Sequence, residues 1–176
     1  MRRVLAKVPP AVALVVAVAL AVAACATEPR STFGAPGGPA GSLTDATEAQ
    51  VIAALGAVGL QAAEAQTPYL PPEAALFANA PRTVLQATLP DDPTGGFLVI
   101  YALQSPEAAA AAAADQAQYI ASNRGGIFSF AGRYVIRLVG SNVVFFMWLP
   151  DSATDPRTVK IEEALLSVGT EVPIAR

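Results

Sequence analysis

Tyr134–Leu149 reads YVIRLVGSNVVFFMWL: two runs of large apolar side chains on either side of Gly140-Ser141-Asn142. β-Branched and aromatic residues around such a turn predict strands over Tyr134–Val139 and Val143–Leu149, joined as a hairpin. Pro150 stops the second strand, because it has no N–H to give a ladder. Side chains alternate along a strand, so Arg137 shares a face with Val135 and Val139, opposite Tyr134, Ile136 and Leu138. Either its aliphatic stem lies over those valines, or its guanidinium meets an anionic ligand or a partner. Phe145, Phe146, Met147 and Trp148 point alternately to both faces, so both are covered or an apolar patch is exposed. Arg137 and Trp148 are therefore the domain's candidate contacts for a partner or ligand.

Outward from this hairpin, Arg82–Leu89 and Gly96–Leu103 predict a second strand pair, with the turn chemistry of PDDPTGG between them. FLVIYAL is apolar without alternation, which is the pattern of a central strand covered on both faces. In SPEAAAAAAADQAQYIAS, Ser105 is placed to cap a helix, Pro106 suits its first position, and Glu107 suits its dipole. An earlier helix is expected over Thr47–Val58, with Asp45/Glu48 and Thr47/Gln50 as competing capping boxes. PPEAALF predicts a short helical turn. A last helix is expected from Pro156 or Arg157 to Ser167, capped by Asp155, with Ile161, Leu165 and Val168 as its apolar stripe and Gly169 at its end. The order α-β-β-α-β-β-α predicts a compact α+β domain over residues 43–176. It would combine an antiparallel or mixed four-stranded sheet with about three helices. If all helices lie on one face, the other is free for a partner.

The chain has no histidine and one cysteine in 176 residues. That composition excludes an intrachain disulfide, a zinc site of the usual cysteine/histidine kind, and histidine acid–base catalysis. Asp91-Asp92 fits a solvated turn better than a cation site, which needs more oxygen ligands. Asp151 and Asp155 fit turn and capping roles, and Glu162-Glu163 the wet face of the last helix. The glycines of GSLTD, GGF, RGG and GSN form no phosphate loop. Lys160, the sole lysine after Lys7, has no motif around it for a Ser–Lys enzyme. No cluster of Lys and Arg supplies the positive face that a nucleic acid requires. Catalytic, metal and cofactor sites are not expected.

The first 25 residues form a separate unit. Arg2, Arg3 and Lys7 precede the uncharged apolar run Ala11–Ala24, whose 14 residues fall short of the ~20 that span a bilayer. Small residues then lead to Cys25. Val22-Ala23-Ala24-Cys25 resembles the lipobox of bacterial lipoprotein precursors. The resemblance implies a signal peptide over residues 1–24, diacylglyceryl and further acyl chains such as palmitate on Cys25, and cleavage before it. Residues 25–42 then read as the lipidated cysteine and a Gly/Pro/Ala-rich tether, in which Phe33 is the one aromatic. Two or more acyl chains make anchoring durable.

The helix–hairpin order, with AALGAVGL closing the first helix, is similar to small bacterial lipoproteins of uncharacterised role. These features predict an extracytoplasmic domain held by lipid at a bacterial cell membrane or outer membrane. Its expected role is non-enzymatic: binding an envelope protein or supporting an envelope assembly. The alternatives are a small-ligand-binding or sensory lipoprotein and, more remotely, a hydrolase without histidine.

Overall fold

A computed structural model describes residues 43–122 and 131–175. Their elements run α1 (Asp45–Ala57), β1 (Ala62–Glu64), α2 (Ala75–Ala78), β2 (Arg82–Ala87), β3 (Phe97–Ala102), α3 (Pro106–Ala121), β4 (Arg133–Val139), β5 (Asn142–Trp148), α4 (Thr158–Leu165) and β6 (Thr170–Glu171). The fold is α+β, as expected, and of the antiparallel and mixed alternatives the sheet takes the antiparallel one, but it has six strands, ordered β1-β2-β3-β5-β4-β6. The four expected strands form its centre. The correction lies at the edges, where the three residues of β1 and the two of β6 pair with β2 and β4. Such short strands carry no readable alternation. The described helices number four because the turn in PPEAALF is α2.

The opening hairpin behaves as its periodicity requires. Val139 pairs with Asn142, so Gly140 and Ser141 alone form the turn, and Gly140 adopts φ +59°. Positive φ at the start of a two-residue turn matches the twist of the flanking strands. Phe145 faces one core cluster and Phe146 the other, each about 1% exposed. Helices cover both sheet faces, so no sheet face is left open in the way that helices confined to one side would leave it. Leu85, Leu98, Ile100, Val144 and Phe146 pack beneath α1 and α4. Val99, Tyr101, Ile136, Val143 and Phe145 pack beneath α2 and α3. FLVIYAL supplies the central strand β3, and Leu98 to Tyr101 are fully buried. Each such side chain contributes about 1.5–3 kcal/mol relative to exposure.

Ser105 caps α3 as expected, its hydroxyl accepting the Ala108 N–H at 3.1 Å. Ala109, Ala112, Ala113 and Ala117 turn their methyls to the sheet, which brings the helix close. The caps of α1 differ from both expected boxes. Its N-cap is Thr44, and no side chain caps it. Thr44 and Thr47 are buried, so their hydroxyls need fixed partners. Thr44 Oγ1 meets Thr83 Oγ1 at 2.7 Å, and Thr47 Oγ1 accepts from Asn142 Nδ2 at 2.8 Å. The same amide donates to the Leu43 carbonyl at 3.1 Å, fastening the chain where it enters the domain. Tertiary partners thus replace local capping.

Asp155 holds the start of α4. Its Oδ1 accepts the Arg157 backbone N–H and Nε, both at 2.9 Å, and its Oδ2 accepts the Asp91 N–H at 3.1 Å. The Arg157 guanidinium, then the two backbone N–H groups, hold this carboxyl well below the usual carboxylate range. A depressed folded-state pKa stabilises the fold above the unfolded value of about 4, and that contribution is lost as pH falls towards the folded value. Acid unfolding should therefore show a stability loss beginning near pH 4 that Asp155→Asn flattens. Parallel acid limbs for the two proteins in urea titrations at stepped pH would exclude this contribution.

Candidate functional groove

An open groove of about 440 Å³ lies between α2, the start of α3 and the end of β3. Leu76 and Ala80 form one wall, Ala108, Ala111 and Ala112 the other, and Ala102 and Leu103 belong to its floor. Leu76 is 53% exposed and adds its side chain to the apolar surface of the groove. Asn79 and Gln104 bring the polar amides of the lining, and no ionisable side chain lines it.

Width and shape follow from the local sequence. Alanines on α3 leave space that larger side chains would fill, and the Ser105 cap fixes where that helix begins. The opposite wall is a single helical turn, too short to hold itself. A part-buried polar network holds it instead. Arg82 Nη2 donates to the Phe77 and Ala78 carbonyls at 3.2 and 3.1 Å, while Nη1 donates to Glu73 Oε2 at 2.8 Å. Tyr101 Oη donates to the same carboxylate oxygen at 2.6 Å, and the Phe77 and Tyr101 rings stack with centroids 4.1 Å apart. Burial, and then the bond to Glu73, push the Tyr101 phenol well above its ordinary pKa, so it stays a neutral donor. From α3, Gln116 accepts the Ala74 N–H at 2.6 Å and donates to the Pro72 carbonyl at 3.0 Å. Glu73, Arg82, Tyr101 and Gln116 thus serve the wall of the groove.

The sequence-derived candidates lie elsewhere. Arg137 shares the face of Val135 and Val139, as its position in the strand requires, but it is buried, and its guanidinium reaches past them to the end of α4. Nε donates to the Val168 carbonyl at 2.6 Å, and Nη2 to those of Leu166 and Gly169 at 2.9 and 3.0 Å. Nη1 lies 3.6 Å from exposed Glu171. Trp148 is half-buried against the α1/α4 core, with its indole N–H donating to Glu162 at 3.2 Å. Arg133 holds that carboxylate from the other side at 2.6 Å, so Glu162 is paired while Glu163 stays exposed. Arg137 and Trp148 are not brought together, and neither lines the groove. Cys25 and Phe33 lie outside the described residues.

Asp91 is tied into the Asp155 network, and Thr154 Oγ1 donates to its carbonyl. Asp92 accepts from Thr94 Oγ1 at 3.4 Å. Among the described residues, no three carboxylates or cysteines gather as a metal site, and no helix is long and apolar enough to cross a membrane. The groove was missed in the sequence because its lining comes from three separated segments and is made largely of alanine. The one local signal was Leu76, an apolar residue beside Phe77 on a turn that can bury only one of them.

Comparison of the chain with protein-family models, with curated proteins and with solved structures finds no match.

Proposed function

We propose that residues 43–176 form a non-enzymatic binding domain, held at a bacterial envelope membrane through acylated Cys25, that grips apolar side chains of a partner protein between α2 and α3. The observation that carries this reading is the open, uncharged groove. Apolar surface on both walls favours an apolar occupant through the hydrophobic effect. The amides of Asn79 and Gln104 are suited to a peptide backbone, which offers both donors and acceptors. Without an ionisable lining residue, the groove has no group for acid–base or nucleophilic work. An envelope lipoprotein of this kind would act as a docking point fixed near the lipid surface.

The neutral blocked dipeptide acetyl-Leu-Phe-amide provides a test. Titrated into the full chain, it should shift the methyl resonances of Leu76, Leu103 and Ala111 in a saturable way. Ala111 is exposed on α3, so Ala111→Trp fills the groove without entering the core. That variant should keep its circular dichroism spectrum and lose at least about tenfold in affinity, the size of an interface change worth ~1.4 kcal/mol. Equal binding by both proteins would exclude the groove as the site.

Carriage of a small apolar molecule is the second reading, favoured by a volume within the range of about 300–1,000 Å³ typical of ligand pockets. Native mass spectrometry of the full chain separates the two, because a carrier retains a bound mass that Ala111→Trp abolishes.

A further inference from the structure

The groove and the point where the chain enters the domain lie at the same end of the sheet, on opposite faces. Leu43 is held through its carbonyl by Asn142, which pairs with Ala102 across the β5–β3 ladder. The Leu103 N–H donates to the Ser141 carbonyl at 3.0 Å, and Ala102 and Leu103 both line the groove. Leu43 and the groove therefore share one end of the sheet. The residues just upstream read STFGAPGGPAGS from Ser31 to Ser42, and Phe33 is the only large apolar side chain between Cys25 and Leu43. Ten peptide steps separate Phe33 from Leu43, a reach of up to about 33–36 Å. A segment seated in the groove would use that reach to round the sheet end from the α1 side to the α3 side.

The occupant that best fits an uncharged groove is neutral and apolar. Phe33 meets that requirement, being flanked by Thr32 and Gly34 with Arg30 as the nearest charge. A groove at the end of a short tether also meets its own chain at an effective concentration on the order of millimolar, so modest contact is enough to fill it. We propose that the α2/α3 groove receives Phe33 of the same chain whenever no partner is bound.

This inference rests on the groove being a binding site, as argued above. It adds a resting state to that site. With Phe33 seated, the free tether is cut to residues 26–32, and the domain is drawn in towards Cys25. A partner must displace the ring, which releases the remaining tether and lets the domain extend.

The test uses the full chain with Phe33→p-benzoylphenylalanine, photoactivated and mapped by mass spectrometry. The expected product is a crosslink within one chain to the α2 or α3 residues of the groove, abolished by Ala111→Trp. In parallel, Phe33→Ala should bind acetyl-Leu-Phe-amide about tenfold more tightly than the unaltered chain, because the competing occupant is gone. A crosslink to a second molecule, or to residues away from the groove, overturns the proposal. So does equal affinity of the unaltered chain and Phe33→Ala, although the groove then survives as a site if Ala111→Trp still loses binding. Failure of all three proteins to bind the dipeptide overturns both the groove reading and the inference built on it.

Discussion

Arg137→Met is expected to lower the unfolding free energy of the domain by about 2–3 kcal/mol, measured by urea unfolding at neutral pH. The guanidinium is a buried cation whose hydrogen bonds go to three carbonyls at the end of α4: Leu166, Val168 and Gly169. Methionine replaces the stem but removes every donor, leaving the carbonyls to water or to nothing. Leu166 and Gly169 are exposed, so the Val168 carbonyl is the buried acceptor, and leaving it unmet costs about 1–3 kcal/mol without the ion pair. Glu171 is mostly exposed, so Glu171→Gln should cost less than ~1 kcal/mol. Arg137→Lys keeps the charge, yet one ammonium cannot reproduce the planar fork, so it should recover less than half of the loss. A change below 1 kcal/mol in Arg137→Met would mean that water meets these carbonyls equally well.

Gly169→Ala is the second large effect, expected at about 3 kcal/mol. Gly169 adopts φ +52°, where an alanine costs roughly 1 kcal/mol in conformation alone. The remainder is crowding. A Cβ there would collide with the Leu138 carbonyl oxygen and come within 2.7 Å of Val139 Cγ2. Gly59 provides the internal control, because it has φ +79° and nothing within 4 Å of an added Cβ. Gly59→Ala should therefore cost only the conformational ~1 kcal/mol. Equal losses at both positions, in the same urea series, would remove crowding from the account.

The hairpin and central strand were legible because their period is local: alternation around Gly140 assigned Phe145 and Phe146 to opposite faces, and FLVIYAL announced a strand covered twice. Ser105, Pro106 and Glu107 marked the start of α3 through bonds made within one turn. What stayed hidden depends on segments meeting from far apart. The cap of α1 was misread because Thr44 and Thr47 bond to Thr83 and Asn142 rather than to their own helix. Arg137 was placed on the correct face, but its true partners lie about thirty residues downstream, where Val168 and Gly169 return to the sheet. The edge strands were too short to show a period. The groove has no motif at all, since alanine propensity explains α3 without indicating which of its methyls face open space.

The fastening at Leu43 also bears on how the domain carries mechanical load. Any pull arriving through the preceding residues reaches Leu43 and Thr44 before it reaches the turns of α1. There it meets bonds to Asn142 in β5 and Thr83 in β2. Force is thus divided between two strands of the sheet instead of unwinding a helix from its end. A domain entered this way can be pulled from its N-terminal side while α1 and the core beneath it stay assembled.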